Sequence, residues 1–456
     1  MVGVGGFGFL VVVGHTTSVT AKAALSALYL IGNVAGPGLF AGLEQETSRV
    51  VSSGLAAGID PRPGLRRAAA VGVGMAGVAT LVLLALAPLL VPRSFAGHAG
   101  LMLWLLLGVV GSAEVFLVRG ILGGTRRFGG YAVTLAVEGL ARLLPCLAVA
   151  ALGVTNVNVY GLIFAGATGA AAVAAYPWLR RGGLLPELQS EPESAPVSAS
   201  AGSSAAAAVV AVVAAGHSLR GIVRGVAFLG VATLLAQLVA NLAPLVVTGR
   251  MLGSGPDELA AVAFGFAFVL TRAPLLLFSP VQALLLPRLT TAVVRGELDV
   301  VRAQVRRGLG AVAVVALGGV VAAGVAGPWA VQTLFGSEAR PSALVMALLG
   351  VSTGLLMVVQ LLQPVLVAVG RHRTASMAWI VGTAVLVGLL VLPGPAITAA
   401  LVAQLTAAVT VALVSVLGLL DILRTPPAVR GEAAVAPSLM LTECVPAATE
   451  RALEPS

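Results

Sequence analysis

The residues best placed to do chemistry in this chain are ionisable side chains set inside long apolar runs. Glu138 and Arg142 are four apart in E-G-L-A-R, a spacing that puts both on one helical face with the acid N-terminal to the base, the favoured order for such a pair. Arg272 stands in L-T-R-A-P with no acid within a helical turn. A charge at the bilayer centre costs about 2.5 to 3.5 kcal/mol on insertion scales, so such groups face protein or an aqueous path. For Glu138 and Arg142 two readings follow, a self-neutralising structural pair or the wall of a cavity. For Arg272 the partner is either a carboxylate on another helix or an anionic ligand. Glu44, Glu46 and Arg49 close one apolar run, and Glu114 and Arg119 another; there the ordinary expectation is snorkelling to the interface. Asn33, Gln237, Asn241, Gln282, Gln360 and Gln363 are uncharged candidates for a polar path, a role that competes with hydrogen bonding between helices.

Other patterns look catalytic and fail on context. Gly350, Ser352 and Gly354 form G-x-S-x-G, but a nucleophile elbow needs a strand-turn-helix and Asp and His partners. The string falls in an apolar helical run, where Gly350 and Gly354 also read as a G-x-x-x-G packing face. G-x-G-x-x-G occurs at Gly3, Gly5 and Gly8 and again at Gly72, Gly74 and Gly77, with no strand before either. His15, His98, His217 and His372 are scattered singly, and Cys146 and Cys444 are the only cysteines. None of these has the spacing of a metal site or a disulfide framework. The expectation is a protein with no cofactor, no metal and no catalytic residues.

The elements that must position these residues are membrane helices. Of 456 residues, 58% are hydrophobic and only 10% charged, against roughly 25% charged in soluble domains. A net charge of +9 raises the question of nucleic acid, but the basic residues lie in twos and threes between apolar runs with few aromatics beside them, which excludes that partner. The lipid bilayer is the expected surrounding. Lys22 is the only lysine, and with abundant Ala, Gly and Val this points to a GC-rich bacterial genome.

Runs of roughly 20 apolar residues, the length of a span, are expected near 1–18, 23–43, 68–91, 99–118, 131–152 and 157–178. A second set falls near 226–247, 259–286, 309–333, 343–368, 375–392 and 396–420. The fold class is therefore all-α, with about twelve transmembrane helices in two six-helix lobes, 1–182 and 218–424. Residues 183–217 turn to Pro, Ser, Glu and Ala and read as a flexible connector, and 425–456 as a disordered tail. The first run is short, and without a basic n-region or an A-x-A site it does not read as a cleaved signal peptide. Alternate loops carry nineteen basic residues against four, Lys22, Arg93, Arg250 and Arg340, which places both termini and the connector in the cytoplasm. Reporter fusions after Arg181 and after Arg424 should both report cytoplasm; an external reading at either overturns this topology. The interruptions Gly36-Pro37-Gly38 in the second run and Pro274 and Pro280 in the eighth are the paired breaks of a two-lobed transporter with its site between the lobes.

Four stretches also resemble a family: Gly36 to Arg49, Arg119 to Phe128 with Glu138 to Arg142, Leu270 to Ala283, and Arg371 to Arg373. They are similar to those of the Wzx-like polysaccharide-export flippases of the multidrug/oligosaccharidyl-lipid/polysaccharide (MOP) superfamily, in the form common in actinobacteria, and the resemblance covers most of residues 1–420. It implies a MOP/MATE-like arrangement, two bundles around a central cavity opening alternately to each side of the bacterial cytoplasmic membrane. The implied substrate is an undecaprenyl-diphosphate-linked glycan, with polysaccharide biosynthesis enzymes as neighbours. Arginine suits a diphosphate because its fork binds phosphate in a bidentate way. Arg272, and Arg142 if Glu138 releases it, become the binding arginines, with Asn241 and Gln282 lining the cavity. In the absence of a nucleotide-binding motif, Glu138, Glu44 or Glu46, with Arg49 as an ion-pair partner, become proton carriers. The competing readings are a small-molecule or drug antiporter, a membrane glycan polymerase, for which the outer loops are short, and a non-transporting scaffold of a biosynthetic complex.

Overall fold

A computed structural model describes residues 2–180, 216–253, 256–275, 298–368 and 371–424. The expected connector lies outside these residues except for Gly216 and His217, and the expected tail lies wholly outside them. Twelve helices carry the described chain: α1 Val2–Thr16, α2 Val19–Ala56, α3 Arg62–Arg93, α4 Gly100–Gly124, α5 Phe128–Ala151 and α6 Val157–Ala174, continued by the short turn Tyr176–Arg180; then α7 Leu219–Met251, α8 Pro256–Thr271, α9 Leu298–Phe335, α10 Ala343–Ala368, α11 His372–Val391 and α12 Ala396–Arg424. Eleven are long and apolar enough to cross a membrane, and α1 is shorter at 15 residues, as the sequence predicts.

A chain in lipid must satisfy its backbone within the fold, and one interruption is informative. In α2 the segment Val34–Gly38 is a π turn holding Pro37. The break does not end the helix, which runs on from Leu39 to Ala56, thirteen residues beyond the predicted end of the span at 43. Thr233 of α7 donates its hydroxyl to the Gly38 carbonyl at 2.8 Å. A neighbouring helix thus contacts backbone within the π turn.

Within the first six helices α4 packs on α2, α3 and α6, and α5 on α1 and α6; within the second, α9 packs on α10, α11 on α12, and α7 on α8, α11 and α12. The two sets meet chiefly along α2 and α7, with α3 on α7, α2 on α8 and α1 on α9 beside that seam. Gly42 and Gly230 let α2 and α7 touch at the backbone, since a Cβ on Gly42 would lie 2.6 Å from the Gly230 nitrogen. Gly350 and Gly354 do the same for α10 against Val320 and Ala316 of α9. Between them Ser352 is buried and accepts a 3.3 Å hydrogen bond from Gln404 Nε2, so the G-x-S-x-G string is a packing face.

Candidate functional site

Glu138 and Arg142, one turn apart on α5, form the predicted pair, and a third residue completes it. Arg119 of α4 donates from Nη2 to Glu138 Oε2 at 2.6 Å and from Nε to Thr134 Oγ1 at 3.0 Å; Arg142 Nη2 donates to Glu138 Oε1 at 3.1 Å. Arg119 is 4% exposed and the other two 6%. The snorkelling expectation for Arg119 is therefore corrected: a carboxylate has lone pairs for two forks, and Glu138 recruits the second from the neighbouring helix. Arg142 lies over the Phe164 ring at 4.6 Å and Arg119 over Phe116 at 5.6 Å, a favourable cation–π arrangement. The triad lines a cavity of 80 Å³ together with Asn33, Ser112 and Thr168. The structure thus combines the two sequence readings, since the ion cluster is itself a pocket wall.

The acids of α2 are also corrected. Glu46 is 2% exposed and holds Arg49 through both oxygens, at 2.9 Å from Nε and 2.5 Å from Nη2. Gly225 of α7 leaves the space this carboxylate occupies, since a Cβ there would lie 2.6 Å from its carbon. Glu44 Oε1 accepts from the Tyr131 hydroxyl at 2.7 Å. Glu114, by contrast, is exposed on α4. Arg49 also reaches the Gly216 carbonyl at 3.3 Å, Arg67 the His217 carbonyl at 2.8 Å, and Ser53 Oγ lies 3.2 Å from His217 Nε2. These contacts clasp the start of α7 to α2 and α3. Burial first, and then the Arg49 charge, hold the His217 imidazole below its ordinary value. No cluster of three or more metal-ligating side chains occurs among the described residues.

In the second half, α8 gives up regular helix at Arg272. The Arg272 amide bonds Val269 and the Leu275 amide bonds Arg272, both three residues back, because Pro274 carries no amide hydrogen to continue the ladder. Arg272 Nη1 and Nη2 are buried and meet no hydrogen-bond partner among the described residues. The guanidinium stacks on Phe268, 4.6 Å from the ring centre. Leu270, Thr271 and Pro274 of the same turn wall an apolar cavity of 270 Å³ shared with α9 and α10. The Asn241 amide nitrogen donates to the carbonyl and the side-chain Oε1 of Gln237, both at 2.9 Å, on its own helix. Gln282 and Pro280 lie outside the described residues.

The end of the bundle away from residue 2 carries a feature the sequence reading missed. Lys22, at the start of α2, is 6% exposed, donates to the Gly336 carbonyl at 3.0 Å and lies 3.9 Å from Glu338. Phe335 packs its backbone against Gly14 beside this contact, so the α1–α2 corner is fastened to the end of α9. The uniqueness of Lys22 in an arginine-rich chain was the available signal. Lys22→Ala is expected to loosen this contact between the halves. With Cys146 and Cys444 replaced, Ser337→Cys, at a position 7% exposed, should react with maleimide in detergent several times faster when Lys22 is alanine; equal rates would show that the lysine fastens nothing.

No family model matches the chain. An uncharacterized protein of Mycobacterium bovis is 28% identical over 405 residues, 83% of this chain and 84% of that protein. A second relative, an uncharacterized protein of Mycobacterium tuberculosis, is 27% identical over 371 residues, 80% of this chain and 76% of its own length. Among solved structures, the inward-facing conformation of a multidrug resistance MATE family transporter of the MOP superfamily superposes with a TM-score of 0.65 at 13% identity, over 92% of this chain and 94% of the other. A Vibrio cholerae MATE transporter superposes with a TM-score of 0.56 at 16% identity, over 93% and 95%. The chain has the fold of the MATE transporters. It is an all-α, multi-pass membrane protein, and the fold expected from the resemblance is present.

Proposed function

We propose that the chain is an alternating-access transporter that moves an undecaprenyl-diphosphate-linked glycan precursor outward across the bacterial cytoplasmic membrane. The observation that carries the reading is Arg272, a buried guanidinium with no hydrogen-bond partner among the described residues, placed where Pro274 breaks α8. A permanent charge kept in a membrane fold without a counter-ion among the described residues calls for an anion that arrives and leaves, and a diphosphate matches the guanidinium fork. The buried acids of the first six helices support this choice: Glu138 and Glu46 are paired with arginine and Glu44 with Tyr131. With both termini in the cytoplasm, the Lys22 contact closes the outer end, and the site opens inward toward polysaccharide biosynthesis enzymes.

A small-molecule or drug antiporter shares this fold. One observation favours it, Glu258, which is buried and whose Oε1 has no hydrogen-bond partner among the described residues, although it lies in the first turn of α8 and not at mid-span. Removing the gene and measuring lipid-linked glycans by mass spectrometry separates the two. Accumulation on the cytoplasmic side is expected; an unchanged glycan pool with altered drug susceptibility would replace this reading by the antiporter.

A further inference from the structure

We propose that His217 is a proton-sensitive latch between the two halves of the bundle: neutral, it fastens the start of α7 to α2 and α3, and protonated, it releases them. The latch concerns the seam and not the cargo; only its consequence for transport rests on the alternating-access reading. The slot comes first. His217 stands just before α7 and is 5% exposed. Two glycines make the space, one on each facing helix. A Cβ on Gly54 of α2 would lie 3.1 Å from the ring Cε1, and one on Gly64 of α3 would lie 3.4 Å from Cγ and Nδ1. Arg49 reaches the Gly216 carbonyl and Arg67 the His217 carbonyl at 3.3 and 2.8 Å, so the clasp and the imidazole form one unit.

The slot suits a neutral ring. Ser53 donates its hydroxyl hydrogen to the Val50 carbonyl at 3.3 Å and so accepts from Nε2 at 3.2 Å; a second proton enters at Nδ1, over Gly64. There it meets charge of its own sign. From α2 comes Arg49, whose partner Glu46 is engaged through both oxygens. From α3 comes Arg67, with Arg66 exposed beside it, while Asp60 on the turn between the helices lies 3.6 Å from Arg62. The first turn of α7 holds no acid, and its Arg220 and Arg224 are exposed. Burial first, then Arg49 and, more weakly, Arg67 hold the imidazole below its ordinary value, against the hydrogen bond with Val50 and the pull of Glu46. A lowered value means that the clasp has its full strength above about pH 6.5, the ordinary imidazole value, and loses it as pH falls below. One unit lower the released imidazole is about 90% protonated while the clasped one resists, which weakens the clasp by up to about tenfold. An alternating-access cycle parts the halves at this end, so acid would favour the parted state.

The test uses the full chain in detergent, with Cys146 and Cys444 replaced and spin labels at Ala56→Cys and Leu219→Cys, exposed positions that flank the clasp. Pulsed EPR should show one short, narrow distance at pH 7.5 and a longer one at pH 5.5, with the ratio of long to short rising several-fold, up to about tenfold. His217→Gln keeps a donor for Ser53 and takes up no proton, so it should hold the pH 7.5 distribution at both values. Should that variant not fold, histidine ring NMR of the parent protein decides: one imidazole must titrate in step with the parting of the labels. Equal distributions in the parent at the two pH values, a His217→Gln variant that parts in acid as the parent does, or no imidazole titrating in step overturns the latch.

Discussion

Arg272→Ala is expected to cut export of the lipid-linked glycan about tenfold to a hundredfold while leaving the protein folded. The size follows from losing a charge-assisted hydrogen bond to the substrate, about 1.5 to 3 kcal/mol. The preserved fold follows from the structure: Nη1 and Nη2 of Arg272 have no hydrogen-bond partner among the described residues, so the substitution strands no carboxylate among them and removes a buried charge. Of the contacts among these residues, the stacking on Phe268 is lost. Arg272→Lys keeps a charge but not the planar fork and should transport at an intermediate rate. Export and detergent melting temperature measured on the same variants discriminate. A fall in melting temperature for Arg272→Ala would reveal a structural counter-ion in place of a ligand. A stable protein with normal export would remove Arg272 from the site altogether.

The helices were legible in the sequence because a spanning helix is written locally, as roughly 20 apolar residues between charged ends, and within the described residues each of the twelve apolar runs holds a helix. Helix ends were legible only where charge marked an interface. In α2 it did not: Glu44 and Glu46 look like the end of a span, yet the helix continues to Ala56 because Tyr131, Arg49 and the space over Gly225 accept those acids inside the bundle. The same limit hid Arg119. A pair on one helix, such as Glu138 and Arg142, can be read from a spacing of four, whereas Arg119 reaches Glu138 from nineteen residues away on another helix, and no local pattern states which helices are neighbours. Lys22 reaching Gly336 across the two halves is the extreme case. Arg272 drew attention in the sequence for the opposite reason: the absence of an acid within a helical turn is a local fact, and Nη1 and Nη2 meet no hydrogen-bond partner among the described residues.

Breaking the triad at its centre should have the largest effect on stability. Glu138 is the only carboxylate paired with either Arg119 or Arg142 among the described residues, and all three are buried. Glu138→Ala would leave two guanidinium groups facing one another without an anion between them. Removing one member of a buried ion cluster typically costs about 3 to 5 kcal/mol, because the remaining charge stays desolvated and uncompensated. We expect Glu138→Ala to lower the detergent melting temperature and the membrane yield sharply, and Glu138→Gln to do so less, since the amide oxygen still accepts from one arginine. Charge and packing can then be separated by replacing the whole cluster. The triple change Arg119→Met, Glu138→Leu and Arg142→Met removes every buried charge at similar volume, and should recover most of the stability lost in Glu138→Ala. That recovery would show that the single variant fails through stranded charge and not through a missing side chain. If Glu138→Ala melted with the parent protein, the two arginines would have to be neutralised by something other than Glu138. If the triple variant were no more stable than Glu138→Ala, the cluster would owe its stability to packing against Phe116, Phe164 and Thr134.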